Sequence, residues 1–198
     1  ITYSLMVNDF TPYFYIKVPS YFKKKDINRF ERWVRASMWS KYRGSFLRTN
    51  LLKKKVFRNF NNFKKFYFVR LVFRSKAAMN NAIRLFQNKI WNSTTRKIDK
   101  ILPKKSKIAG IDNREVIYEL FENTIDPLLR FIHHRSLKPV GWAQVKYGKY
   151  NKRDEMLTHC NYDLETRWSD VKSIESDKNA KIKVMAYDIE CDSAHGDF

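Results

Sequence analysis

Short alternating runs and short helical periods divide this chain, and neither pattern is sustained for long. Residues 2–7 and 13–18 are apolar-rich runs joined by Asn8-Asp9-Phe10-Thr11-Pro12, and these turn residues predict a hairpin. After Asp26, the residues Ile27, Phe30, Val34 and Met38 recur on one helical stripe. They predict a helix to about Lys41 with Asp26 as its N-cap. The pattern dissolves between Gly44 and Lys65. It returns over residues 66–74, where Tyr67, Val69, Leu71 and Phe73 form a wholly apolar strand face. The opposite face carries Phe66, Phe68, Arg70, Val72 and Arg74. Ser75 then caps a predicted helix on which Met79, Ala82, Ile83, Phe86 and Ile90 keep the helical period. A strand followed by a packed helix predicts an α+β fold with mixed sheets, opening on a ferredoxin-like, RNA-recognition-type unit.

Residues 91–113 are polar and basic, with Pro103-Lys104-Lys105-Ser106-Lys107 near their middle, and read as a linker. They set the expected division into 1–110, 111–178 and 179–198. Asp126-Pro127 starts a short helix whose predicted buried side is Leu128, Phe131 and Ile132. Lys138-Pro139 stops it, and residues 140–145 read as a strand. The last predicted strand, residues 182–190, turns Ile182, Val184, Ala186, Asp188 and Glu190 to one side. Two carboxylates thus leave an apolar strand together with no basic residue beside them, which is costly if they stay unpaired. A pair of divalent cations ~4 Å apart would relieve that cost and would suit phosphodiester chemistry. The plainer reading is a strand end made soluble by acidic residues.

Charge narrows the partners. Forty Lys and Arg against twenty Asp and Glu leave a net charge of +20, and 16% of residues are aromatic, a composition suited to phosphate backbone and exposed bases. The candidate DNA contacts are Lys53, Lys54, Lys55, Arg58, Lys64 and Lys65, interleaved with Phe57, Phe60 and Phe63, together with Phe66, Phe68 and Arg70 of the following strand. The same phenylalanines could instead anchor a basic surface segment, and the Phe66 face could pack against a neighbouring part of the protein. Arg29, Arg32 and Arg35 lie mostly off their helical stripe, on a face that is either solvated or in contact with DNA. No long apolar run or signal-peptide pattern points to a membrane. An intracellular protein is expected. Cys160 and Cys191 are too few for a disulfide framework and are read as free thiols, and the histidines show no zinc-ligand spacing.

The segment Ala-Tyr-Asp188-Ile-Glu190-Cys resembles the first exonuclease motif of family B DNA polymerases. The resemblance extends back through Tyr118-Glu119, Asp126 to Phe131, Gly141-Trp142, Gly148-Lys149-Tyr150, Cys160-Asn161-Tyr162 and Trp168-Ser169-Asp170-Val171, in the order typical of delta-type enzymes. A weaker match covers the stretch around Tyr13. Leu128-Leu129-Arg130 departs from the more polar residues of that family's helix. The resemblance implies an RNase H-like 3′–5′ exonuclease domain starting near residue 179, in which Asp188 and Glu190 hold two Mg²⁺ ions that activate water and stabilise the leaving 3′ oxygen. It also implies a nucleotidyl-transfer site, with template single strand, primer-template, the remaining polymerase domains and a processivity factor as partners, at the nucleus or a cytoplasmic viral replication site. The further metal-binding aspartates and the D-x-x-S-L-Y-P and Y-G-D-T-D signatures are not found in the 198 residues, and the first residue is Ile. The expectation is therefore a piece of a longer enzyme that is inactive alone. The alternatives are a stand-alone basic module binding single-stranded nucleic acid, and a scaffold without catalysis.

Overall fold

The computed structural model describes residues 1–56 and 62–178. In chain order the described elements are β1 (Tyr3–Asn8), β2 (Tyr13–Lys17), α1 (Ile27–Ser37), α2 (Ser40–Arg43), β3 (Phe46–Lys55), β4 (Lys65–Phe73) and α3 (Lys76–Ile83). There follow β5 (Gln87–Asn92), β6 (Lys97–Pro103), β7 (Lys105–Ser106), β8 (Val116–Ile117), β9 (Glu119–Phe121) and α4 (Pro127–His134). The last are β10 (Ala143–Val145), β11 (Tyr150–Lys152), β12 (Tyr162–Arg167) and β13 (Val171–Ser173). The fold is mixed α and β, with several small sheets.

A four-stranded sheet in the order β3-β4-β2-β9 holds the core, with every neighbouring pair antiparallel. The chain builds it as strand, helix, strand, strand, helix, strand, with α1 between β2 and β3 and α3 between β4 and β9. Strand alternation explains which face the helices cover. Phe14 and Ile16 of β2 and Val69, Leu71 and Phe73 of β4 are fully buried in one cluster with Phe30 and Val34 of α1 and Ala78, Met79 and Ala82 of α3. Phe30 sits at the centre of this cluster. Its ring lies 5.8 Å from Phe22, 6.4 Å from Phe86 and 6.0 Å from Tyr118. Such pairs add about 0.5–1.5 kcal/mol each beyond the area they bury.

The helix starts follow their capping residues. The Ser75 hydroxyl accepts from Ala78 N at 3.2 Å, and Asp126 Oδ1 accepts from Leu128 N at 2.8 Å with Pro127 in the first turn. Asp26 behaves differently. Its carboxylate reaches back to Lys23 N at 2.8 Å and closes a 3₁₀ turn, without bonding into α1. The loop after β7 is fixed by the buried Asp112, which accepts from Tyr118 Oη at 2.7 Å, Tyr21 Oη at 2.8 Å and Ile108 N at 2.9 Å. Burial, then the Asp112 contact, pushes the Tyr21 hydroxyl up to about 12 and raises Tyr118 further still. Gly110 lies in the same loop at φ +74°, where an added Cβ would meet the Arg29 guanidinium at 3.0 Å, so a side chain there would be strained and crowded. Arg29 Nη1 donates to the Gly110 carbonyl at 2.6 Å.

Further sequence expectations are corrected. The two N-terminal strands exist but do not form a hairpin: β1 pairs parallel with β12, while β2 pairs with β4 and β9. Phe10, between them, packs on Phe131 and Trp168 and separates the two paths. The stretch read as patternless contains β3, whose strand is held by pairing with β4 from Phe46–Phe73 to Lys55–Lys65. The antiparallel β5–β6 ribbon takes in Ile90 of the predicted helix, which ends at Ile83, and the first part of the expected linker. Finally, the expected long helix ends at Ser37, and α4 buries Arg130 while exposing Leu128.

Among the smaller sheets, β11 pairs with β12 and β10 with β13, both antiparallel. No helix among the described residues is long and apolar enough to cross a membrane.

Truncating Phe30 to Ala should cost about 3–5 kcal/mol by removing the ring shared by α1, Phe86 and Tyr118. Urea denaturation of the wild-type and variant chains would show it as a lowered midpoint with an unchanged slope.

Candidate nucleic-acid interface

The helix-free face of the central sheet carries Tyr13, Tyr15 and Lys17 from β2 opposite Val72, Arg70 and Phe68 from β4. Asn50, Leu52 and Lys54 from β3 lie beyond them, and Glu119 and Phe121 from β9 complete it. The two ends of this face differ. At the Tyr13 end α4 lies over the strands: the Arg130 guanidinium stacks 3.8 Å from the Tyr13 ring centroid, and Tyr13 Oη is hydrogen-bonded to His134 Nε2 at 2.7 Å. Arg130 is buried, yet it donates to Glu122 Oε2 at 3.0 Å and to the Glu122 carbonyl at 2.8 Å, so its charge is compensated. Burial raises the pKa of Tyr13, partly opposed by Arg130. Arg70 belongs to this covered end, where its Nη2 donates to Asn50 Oδ1 at 3.2 Å and its guanidinium lies 5.4 Å from the Tyr13 ring.

At the other end lysines from both faces of the sheet sit on aromatic rings, Lys54 and Lys17 on the helix-free side and Lys53, opposite Tyr67, on the other. Lys54 Nζ is 3.9 Å from the Tyr15 centroid, Lys17 Nζ 4.6 Å from Phe66, Lys55 Nζ 5.1 Å from Phe63 and Lys53 Nζ 5.5 Å from Tyr67. Lys64 Nζ lies 6.0 Å from Phe66. Lys17 also pairs with Glu119 at 2.9 Å. Among the described residues, Lys53, Lys54, Lys55, Lys64 and Lys65 have no acidic partner, and Phe63 is 72% exposed. Cations held over rings near the surface gain about 0.5–1 kcal/mol and stay free to meet an anion. Chemically, this end can bind phosphates and stack bases.

The expected contact residues are thus distributed unevenly. The lysines and Phe66 gather on the β3–β4 arm; Phe68 is buried beneath Tyr15 and Phe121 as a floor; Arg70 lies toward α4. Arg58, Asp188 and Glu190 lie outside the described residues. Tyr15, Lys17 and Phe121 join the face although they are not among the contact residues expected from sequence. Their signal was the alternation in Tyr13-Phe14-Tyr15-Ile16-Lys17, but only pairing with β4 shows which side is outward. Among the described residues, no group of three or more His, Cys, Asp or Glu side chains is arranged to hold a metal ion. Cys160 is a free thiol.

The chain approaches its last segment along β12 and β13. Asp163 on β12 is buried and accepts from Leu157 N at 2.6 Å, Thr158 N at 3.0 Å and the Thr158 hydroxyl. These bonds, the Thr158 hydroxyl first, hold its carboxyl below the usual carboxylate range. Beyond β13, Ile174 N donates to the Trp142 carbonyl at 3.2 Å, and Trp142 Nε1 donates to the Lys178 carbonyl.

Residues 118–198 match the family model for the exonuclease domain of DNA polymerase family B. Along almost its whole length the chain is 29% identical to a DNA polymerase of Acanthamoeba polyphaga mimivirus, covering 98% of this chain and 11% of that protein. It is 28% identical to a DNA polymerase of Phaeocystis pouchetii virus, covering 100% of this chain and 18% of the relative. With the DNA polymerase delta catalytic subunit of Oryza sativa subsp. japonica it shares 25% identity over 97% of this chain and 17% of that subunit. By these matches the chain is similar to DNA polymerases, and its residues 118–198 to the exonuclease domain of family B; the relatives include viral and delta-type enzymes. The chain spans less than a fifth of the length of these curated relatives.

Because the Asp163 carboxyl is held below its unfolded value of about 3.9, its stabilising contribution is present at neutral pH and is lost as pH falls through that value toward the folded one. Asp163→Asn should lower the denaturation midpoint near neutrality and flatten the wild-type loss in acid. Midpoints measured at steps from neutral pH down to about 3 would report both effects.

Proposed function

We propose that this chain supplies the N-terminal region of a delta-like family B DNA polymerase that carries a 3′–5′ proofreading exonuclease and acts in DNA replication. The observation that carries this reading is the match of residues 118–198, which includes both carboxylates of Ala-Tyr-Asp188-Ile-Glu190, to the family's exonuclease domain. In this reading residues 111–178 lead into an RNase H-like nuclease starting near residue 179. Asp188 and Glu190 are hard oxygen donors of the kind Mg²⁺ takes, and alternation along a strand would turn both to one side. Mg²⁺ bound there would activate water and stabilise the leaving 3′ oxygen. The carboxylates hold the ions and orient the terminal phosphodiester. Their remaining ligands would come from elsewhere in the enzyme.

The sheet order β3-β4-β2-β9, with both helices on one face, supports a ferredoxin-like, RNA-recognition-type unit. Its partner in this reading is single-stranded template or primer-template DNA, held by Lys53, Lys54, Lys55, Lys64, Lys65 and Phe66, with Arg58 between them, over Phe68 and beside Arg70. The exposed lysines stacked on rings support that assignment. The remaining polymerase domains and a processivity factor would complete the assembly at a nuclear or viral replication site.

Changing both Asp188 and Glu190 to Ala in the full-length enzyme should reduce Mg²⁺-dependent exonuclease activity by several orders of magnitude while leaving nucleotide addition largely intact. A 3′-labelled single strand reads the first activity and primer extension the second. Retained exonuclease activity in the double variant would overturn the ligand assignment.

A further inference from the structure

A cleft of about 920 Å³ opens where the β3 end of the lysine arm faces the β5–β6 ribbon, and Tyr15, Phe68 and Phe121 contribute to its lining. Resting on the DNA-binding reading above, we propose that this cleft receives an unstacked nucleotide of a single-stranded nucleic acid. The aromatic floor is already braced: the Phe68 ring meets Phe121 edge-on at 5.2 Å and Tyr15 edge-on at 6.5 Å. The far wall is apolar, made by Ile101 and Pro103 of β6. The volume falls in the range of small-molecule sites and exceeds what a single base needs.

Polar groups around the cleft match a nucleotide. Glu119 is paired with Lys17 at 2.9 Å and Glu122 with Arg130 at 3.0 Å, so both acidic side chains in the lining already have cationic partners. Lys54 and Lys55, also in the lining, have no acidic partner among the described residues. The Gln87 carboxamide oxygen is engaged by Asn123 Nδ2 at 3.3 Å, which leaves its N–H groups as donors for a base edge. Lys54 covers the Tyr15 ring with its ammonium 3.9 Å from the centroid. A base therefore enters by moving one flexible side chain, and the displaced ammonium meets the incoming phosphate.

The ribbon extends the same chemistry. Between Gln87 and Lys105 it carries Lys89, Arg96, Lys97, Lys100, Lys104 and Lys105 against the single acid Asp99, and none of these cations is in an ion pair among the described residues. Trp91 is 60% exposed on it. A strand leaving the cleft would meet phosphate partners and a further stacking surface. This charge pattern favours a polyanion with apolar faces, and hence nucleic acid, as the occupant.

Fluorescence anisotropy with the 198-residue chain and a labelled oligothymidine of about 20 nucleotides tests the proposal. An oligomer of equal length with about four central abasic positions should bind about tenfold more weakly, because its phosphates remain but its stacking is lost. Lys54→Ala with Lys55→Ala should weaken oligothymidine binding about tenfold and reduce the magnitude of the salt slope by roughly 1.4. Ile101→Asp changes an exposed wall residue and should weaken the intact oligomer without further weakening the abasic one; an unchanged thermal melt would confirm its fold. Equal binding of the two oligomers, or no effect of Ile101→Asp, would overturn the cleft while leaving DNA binding by the arm in place. No oligothymidine binding at low salt would remove both. Tighter, variant-sensitive binding of an acidic phenylalanine-containing peptide would also overturn the proposal, pointing to a protein partner. The exonuclease assay of Asp188 and Glu190 is independent of all these outcomes.

Discussion

Backbone pairing on both sides of β2 is the constraint on which the described structure depends. On one edge it joins β4, and on the other β9, which arrives from beyond the helices and the ribbon. Because both edges are paired, Phe14 and Ile16 are driven into the helical core while Tyr15 is buried on the opposite side. A strand buried on both faces leaves no freedom to slip, since a one-residue shift would exchange Tyr15 with the core phenylalanine and isoleucine.

That constraint also divides the outer face of the sheet. The Tyr13 end is closed by α4 through Arg130, whose charge is met by Glu122 and the Tyr13 ring. The opposite end stays accessible because the β3–β4 arm extends beyond the helical core, carrying lysines whose nearest partners are rings. One sheet thus carries a closed end and a cationic end. Residues 118–198, which match the exonuclease-domain model of DNA polymerase family B, take in β9, α4, β12 and β13.

Much of this could be read from local residues. The stripe Phe30, Val34 and Met38, the cap at Ser75 and the Asp126-Pro127 start are decided within one or two helical turns, so sequence located them. The resemblance to family B DNA polymerases was legible in the residues from Tyr118 to Glu190, because motif chemistry depends on residue type and spacing more than on packing, and residues 118–198 match that family's exonuclease-domain model.

Tertiary structure decided what depends on distant partners. β3 has a polar, lysine-rich sequence and becomes a strand because β4 supplies its hydrogen bonds; β1 leaves its apparent hairpin and pairs with β12. Arg130 is buried on α4 because Tyr13, far from it in sequence, and Glu122, in the preceding turn, complete its charge and packing, whereas Leu128 is left exposed. The chain alone thus determined its resemblance to a polymerase family, most of its local caps and its charge. Which side of each strand faces outward, and which lysines share a surface, came from long-range pairing, because alternation specifies two faces without saying which will meet the core.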